Sequence, residues 1–77
     1  MKMHQALTKR ILDLCNEQNI TPNKLCTRAG IIQSTVNKIF YGHSKNPKLG
    51  TIYNLCLALN ISLEQFFACD YLRIFDE

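Results

Sequence analysis

The sequence has no acidic residues over the greater part of its length. No Asp or Glu lies between Glu17 and Glu64. The basic residues of this interval are Lys24, Arg28, Lys38, Lys45 and Lys48. With five cations and no anion, the interval has a formal charge of +5, against +3 for the whole chain. This concentration of positive charge favours a polyanionic partner, although a solvated surface of mixed charge is the alternative.

The sequence also lacks any long apolar run. No stretch approaches the ~20 apolar residues that are needed to cross a membrane. The first ten residues are interrupted by His4, Gln5, Lys9 and Arg10, so they contain no signal-peptide core. A chain of 77 residues is expected to fold as one domain with a modest core. We therefore expect a cytoplasmic protein with no membrane partner.

The four cysteines do not form a Cys-x-x-Cys pair, because consecutive cysteines are at least 11 positions apart. They are Cys15, Cys26, Cys56 and Cys69. Each follows an apolar residue inside a segment with helical periodicity. In a chain without an export signal, this pattern predicts buried free thiols that pack as small hydrophobes. We expect no metal and no cofactor, with a zinc site or a disulfide framework as the alternatives.

Apolar periodicity predicts an all-α fold, a compact bundle of five short helices. Leu7, Ile11, Leu14 and Cys15 follow the i, i+4, i+7, i+8 spacing of an amphipathic helix from about residue 3 to residue 18. The remaining helices are predicted at 22–29, between Gly30 and Gly42, at about 49–59, and from Ser62 onwards. The connections between them are short, and no Gly-Ser linker or internal repeat interrupts the chain.

Cap and turn residues set the expected ends of these helices. Asn19 and Asn60 are predicted to stop the first and fourth helices in the left-handed conformation that Asn tolerates. Thr21 is the predicted N-cap of the second helix. Ser62, followed by Gln65 three residues later, predicts a capping box at the start of the fifth helix.

The apolar positions of the last two helices are predicted to be buried. They are Leu49, Ile52, Leu55, Cys56 and Leu59 in the fourth helix, and Leu63, Phe66 and Phe67 in the fifth. The last eight residues, 70–77, form a tail that is both apolar and acidic. This tail is expected either to complete the core or to contact a second subunit.

Motifs along residues 10–67 resemble those of a known family. They are Arg10-Ile11 with Leu14, Leu25-Cys26, Gly30, Val36, Gly42, Leu55-Cys56 with Leu59, and Ser62-Leu63 with Phe66. Their order and spacing are similar to those of the phage repressor and Cro-type regulators, also called the Xre family. Residues 21–41 resemble the family's helix-turn-helix, and the third helix resembles that of lambda phage repressor. The resemblance implies a lambda-repressor-like DNA-binding domain over residues 1–69, followed by the tail at 70–77.

Four positions depart from the family pattern. Cys15 and Phe40 stand where many relatives pair an Arg with a Glu, so both charges of that pair are absent together. Because one of them alone would be an uncompensated buried charge, we expect Cys15 and Phe40 to contact each other. Pro22 replaces a Gln that in relatives contacts phosphate and braces the third helix. Ile32 replaces the usual cap of the third helix.

The resemblance also implies which residues contact DNA. The residues expected to contact base edges are Gln33, Ser34, Lys38, Thr35 and Asn37. The residues expected to contact the DNA backbone are Asn23, Tyr41, His43, Ser44, Lys45, Asn46 and Lys48. Amide, hydroxyl and ammonium groups match the donors and acceptors of bases and phosphates. Neither His4 nor His43 has a plausible nucleophile as a partner, so we expect no catalytic site and no enzymatic activity.

These features together predict a sequence-specific, double-stranded DNA-binding transcriptional regulator. The resemblance favours a small homodimeric repressor of phage or mobile-element type that binds a palindromic operator. We expect no small-molecule ligand. The alternatives are an antitoxin-type or protein-interaction module that keeps the fold, and a thiol-based redox or metal sensor.

Overall fold

The computed structural model describes residues 2–43 and 47–73, and within them the chain is helical, with no strand. Its helices are α1 (Met3–Glu17), α2 (Pro22–Ala29), α3 (Gln33–Phe40), α4 (Leu49–Leu59), α5 (Leu63–Phe67) and α6 (Asp70–Arg73). The all-α fold is thus confirmed. The sixth helix, a single turn, lies in the segment expected to be a tail. None of the helices in these two ranges is both long enough and apolar enough to span a membrane.

The predicted helix ends are found where the local chemistry places them. Asn19 and Asn60 both adopt positive φ values, 57° and 59°. The hydroxyl of Thr21 accepts a hydrogen bond from the backbone N–H of Lys24, as expected of an N-cap. Ser62 and Gln65 exchange both hydrogen bonds of a capping box, at 3.0 and 2.8 Å.

One core lies between the helices, with α1 packed against α3 and α2 packed against α4. Its buried residues are Ala6, Leu7, Ile11, Leu14, Cys15, Leu25, Cys26, Val36, Ile39, Ile52, Leu55, Cys56, Leu59, Phe66 and Leu72. Three of the four cysteines are among them, as predicted, while Cys69 is only half-buried. Burial raises the pKa of the Cys15, Cys26 and Cys56 thiols, which keeps them protonated and weakly nucleophilic.

Two residues predicted to be buried are exposed, and a third, Leu63, is only half-buried. Leu49 is 64% exposed and Phe67 is 39% exposed. Leu49 is the first residue of α4, and Phe67 is the last residue of α5, where its ring packs edge-on against Phe66 at 5.0 Å. The periodic pattern is correct along both helices, but these residues lie at helix ends, where the core no longer covers them.

The two exposed side chains line one apolar groove. Its other walls are Met3, Leu7, Pro47, Ile52 and Leu72, and its volume is about 290 Å³. The residues come from α1, α4, α5 and α6, and from the segment before α4. The groove is therefore formed only by the tertiary fold.

Side chains of α1 and of its C-cap residue, Gln18, complete the ends of the later helices. The guanidinium of Arg10 donates to the carbonyl oxygens of Phe66 and Gln65, both at 2.7 Å. The Gln18 amide donates to the Leu59 carbonyl at 2.6 Å. The last carbonyls of a helix have no partner within the helix, so these bonds join α1 to α5 and α4.

Tyr71 joins the sixth helix to the first. Its hydroxyl donates to Asp13 Oδ2 at 2.9 Å, and Lys9 Nζ lies 5.2 Å from its ring centroid. Burial, together with the bond to Asp13, raises the pKa of Tyr71 to about 12. The same hydrogen bond lowers the pKa of Asp13. Tyr71 and Leu72 thus pack against the body of the domain.

Candidate nucleic-acid interface

The turn between α2 and α3 comprises residues 30–32, and Gly30 sets its direction. Gly30 has a φ of +68°, which is the left-handed conformation that glycine adopts most readily. The next amide, that of Ile31, donates to the Cys26 carbonyl at 3.0 Å and closes the end of α2. The chain can then begin α3 in a new direction against α2 and α1.

Apolar side chains fix α3 to the core. Val36 and Ile39 are each 1% exposed. Phe40 is half-buried and lines a surface pocket together with Leu12 and Asp13 of α1. The expected contact of Phe40 with Cys15 stays a prediction. These apolar residues leave the opposite side of α3 free.

Gly42 closes the other end of α3 close to the first helix. Its φ is +73°, and a Cβ placed on it would come within 2.8 Å of His4 Nε2. The following amide, of His43, donates to the Lys38 carbonyl at 2.8 Å. Gly42 thus allows both the left-handed turn and the close approach of His4.

The residues expected to contact bases lie together on α3, but they are not equally free. Ser34 and Lys38 are exposed, while Thr35 is half-buried. Gln33 and Asn37 are also half-buried, and Gln33 Nε2 donates to Asn37 Oδ1 at 3.0 Å. Gln33 Oε1 is buried without a hydrogen-bond partner among the described residues. The two amides therefore interact with each other in the protein alone.

The residues expected to contact the DNA backbone flank α3. Asn23 is exposed near the start of α2, and Lys48 is exposed immediately before α4. Tyr41 and His43 are also exposed, with ring centroids 6.3 Å apart. The expected contacts of residues 44–46, which are Ser44, Lys45 and Asn46, lie outside the described residues.

The basic side chains of this surface are exposed and form no ion pair within the part of the chain that the structure describes. They include Lys24, Arg28 and Lys38, in the described ranges 2–43 and 47–73. The ion pairs found in those ranges join Lys9 to Asp13 and Arg73 to Asp70. The same ranges contain no cluster of three or more His, Cys, Asp or Glu side chains that could hold a metal ion.

Ile32 is a residue of this surface that the sequence interpretation did not assign to the site. It is the N-cap of α3, makes no side-chain cap, and is 74% exposed. The sequence signal was present, since an aliphatic residue stands where a hydroxyl cap is expected. Only the structure shows that this side chain is also in solvent.

The match to a family model decides how this arrangement is classified. The model of the Cro/C1-type helix-turn-helix DNA-binding domain matches residues 10–71. The chain belongs to the Cro/C1-type family. Its fold is similar to the crystal structure of the prophage Lp1 protein 11, with a TM-score of 0.86 and 37% sequence identity. That similarity covers 97% of this chain and 100% of the other. None of the curated proteins matches the sequence.

The family assignment agrees with the geometry. In this chain α2 and α3 are the two helices of the helix-turn-helix, a motif whose second helix generally lies in the major groove of DNA. The resemblance recognised from the sequence is thus confirmed, as is a DNA-binding domain of helix-turn-helix type.

Proposed function

We propose that this Cro/C1-type protein is a sequence-specific transcriptional regulator that binds double-stranded DNA as a small homodimeric repressor of phage or mobile-element type. The observation that carries the proposal is the exposed, acid-free face of α3, with Ser34 and Lys38 in solvent beside Gln33 and Asn37. Similarity to a prophage protein supports the phage or mobile-element origin. In this proposal the protein acts in the cytoplasm, where its DNA target would lie.

In this proposal α3 supplies the base contacts. Side chains near the start of a recognition helix contact base edges in the major groove. The Gln33 amide suits adenine once its buried Oε1 turns toward the groove, with Nε2 donating to N7 and Oε1 accepting from N6. Lys38, one turn later, reaches guanine or a phosphate, and Ser34 donates or accepts. Thr35 contributes a hydroxyl to a phosphate or a methyl group to thymine.

The flanking residues hold the domain on the DNA backbone. Asn23 precedes the turn, while Tyr41, His43 and Lys48 follow α3. Residues 44–46 supply further backbone contacts in this proposal. Such contacts set affinity and register rather than base preference, and they make binding salt-dependent.

A homodimer follows from the small number of contacts that one domain can make. Two α3 helices about 34 Å apart would enter successive major-groove faces on one side of the duplex. A two-fold dimer requires a palindromic operator, because the same surface reads both half-sites. The apolar groove around Leu49 and Phe67 is the surface that we assign to the second subunit.

The proposal is tested by selection from a random pool of duplex DNA at two salt concentrations, followed by sequencing of the bound fraction. We expect a palindromic consensus, with affinity that falls steeply as salt rises. Failure to retain any duplex at low salt would overturn DNA binding. A consensus without two-fold symmetry would leave DNA binding standing and contradict the dimer.

A further inference from the structure

Ile32 departs from two common preferences, that for a polar side chain at a helix N-cap and that for burial of aliphatic side chains. An N-cap residue normally supplies a side-chain oxygen to the free N–H groups of the first turn, and isoleucine has none. Thr21 and Ser62 make such bonds at the starts of α2 and α5. Lys48 makes none at α4, but a lysine there is an ordinary exposed polar residue. Ile32 gives up the cap and also leaves its aliphatic side chain 74% exposed.

Among the described residues, Ile32 is not one of the side chains that pack against the core. Its neighbours in sequence, Ile31 and Gln33, are both half-buried, and Ile31 packs against the core. A serine at position 32 would cap α3 and expose less apolar surface. A position where local preferences are broken without a gain in packing is where a functional contact is expected.

The location of Ile32 indicates what that contact is. It immediately precedes Gln33 and Ser34, at the end of α3 that enters the groove first. Among the four bases, only thymine presents a methyl group in the major groove, and aliphatic side chains recognise it. The absence of acidic residues from this surface is consistent with DNA as the partner.

We propose that Ile32 is a specificity residue that contacts the C5-methyl group of a thymine in each half-site. This inference rests on the proposed function, since it requires a duplex bound at α3. It adds a larger aliphatic contact to a set of residues that reads bases mainly through hydrogen bonds. The loss of the helix cap is then the cost of that contact.

The test replaces thymine by uracil, one position at a time, in the operator selected by the wild-type protein. This removes the methyl group and leaves every base-pairing hydrogen bond unchanged. We expect one thymine per half-site to respond, with about fourfold weaker binding, since burying one methyl-sized group contributes ~0.8 kcal/mol. Ile32→Ala should bind the thymine operator more weakly and should not distinguish uracil from thymine at that position.

A second variant separates this contact from folding. Ile32→Ser supplies the missing hydroxyl, so its melting temperature should rise while its affinity for the thymine operator falls. A residue with only a structural role would not move these two quantities in opposite directions. Leu57→Ala is the matched control, because Leu57 is an exposed aliphatic residue of α4, at 59%. It should keep the wild-type response to uracil.

The outcomes are distinguishable. If wild-type protein binds its operator but no thymine responds to uracil, the inference is overturned. The same holds if Ile32→Ala keeps the full response. If wild-type protein retains no duplex at all, the proposed function fails and not this contact alone.

Discussion

The pair formed by Gln33 and Asn37 is the least expected feature of α3 at the scale of single residues. Both side chains were predicted to contact DNA, yet in the protein alone Gln33 Nε2 donates to Asn37 Oδ1. The residues are four positions apart, which places them on neighbouring turns of one helix face. Pro22 stands where relatives carry a bracing glutamine, so we interpret Asn37 as its substitute.

Replacing Asn37 by alanine tests this interpretation. The Gln33 carboxamide then loses its 3.0 Å bond and can present either end to a base. We expect Asn37→Ala to relax the preference at the base that Gln33 reads, as measured by selection from a random duplex pool. The double variant with Gln33→Ala should match Gln33→Ala alone. Loss of preference at a different base would show that Asn37 makes its own contact.

Gly30 and Gly42, which have positive φ values on either side of α3, provide a second test at the scale of single residues. A Cβ on Gly30 would meet nothing within 4 Å, whereas one on Gly42 would lie 2.8 Å from His4 Nε2. Gly30→Ala should therefore cost only the strain of the left-handed backbone, about 1–2 kcal/mol. Gly42→Ala should cost the same strain plus the free energy of displacing the His4 imidazole. That second cost should be smaller, because the imidazole can rotate aside.

Urea unfolding measures both variants. His4→Ala is the control background, in which Gly42→Ala should lose its additional cost and match Gly30→Ala. An equal cost of the two glycine substitutions in wild-type protein would contradict a close approach of His4 to Gly42.

At the scale of secondary structure, α6 is held to α1 by a bond whose strength depends on pH. The folded-state pKa of Tyr71 is about 12, above the usual value of 10.0 for tyrosine. This group therefore contributes stability that is complete below pH ~10 and is lost as the pH rises through ~12. The pKa of Asp13 is lowered, so its contribution is present above its unfolded-state value and is lost as the pH falls through the folded-state value.

Tyr71→Phe removes the hydroxyl that donates to Asp13. It should therefore weaken the loss of stability at high pH that Tyr71 causes and the loss at low pH that Asp13 causes. We expect the variant to be slightly less stable at neutral pH and to lose less stability than wild-type protein between pH ~10 and ~12. Chemical denaturation at a series of pH values provides the measurement. In parallel, absorbance titration of the wild-type tyrosines should show one ionisation near pH 12 that is missing from the variant. Identical stability profiles would mean that Asp13 and Tyr71 are not bonded in solution.

At the scale of the whole molecule, the described residues 2–43 and 47–73 leave the apolar groove unfilled. Leu49 and Phe67 are exposed there, while Leu72 forms part of its wall at 9% exposure. Exposed aliphatic and aromatic side chains gathered in one groove are typical of a surface that binds another apolar surface. A second copy of the chain would bury them on both sides of a two-fold axis.

Phe67→Ser tests this assignment. We expect weaker self-association in sedimentation equilibrium. Because two half-sites no longer bind together, operator affinity should fall by about 100-fold or more, on the order of the gain that linked sites provide. Leu57→Ser is the control, since Leu57 is exposed but does not line the groove. Circular dichroism should show both variants folded. Unchanged association of Phe67→Ser would place the dimer contact elsewhere.

The residues of α3 show which features of the candidate site could be predicted from the sequence. Ser34 and Lys38 could be placed on the exposed face of α3 because helical periodicity puts them opposite Val36 and Ile39. The same periodicity could not show that Gln33 is half-buried, since that depends on how closely α3 approaches the rest of the fold. Ile32 was recognised as a missing cap but not as an exposed side chain.

The sequence by itself determined where the first four helices begin and end, where the fifth begins, and which residues fill most of the core. These features depend on interactions within a few residues: a hydroxyl at Thr21 or Ser62, a left-handed Asn19 or Asn60, and apolar side chains at helical spacing. The tertiary structure alone decided the exposure of Leu49 and Phe67, the sixth helix, and the groove that several helices form together. The exposure of a side chain is set by neighbours that are distant in the chain. The spacing of residues along one helix does not show which neighbours cover it.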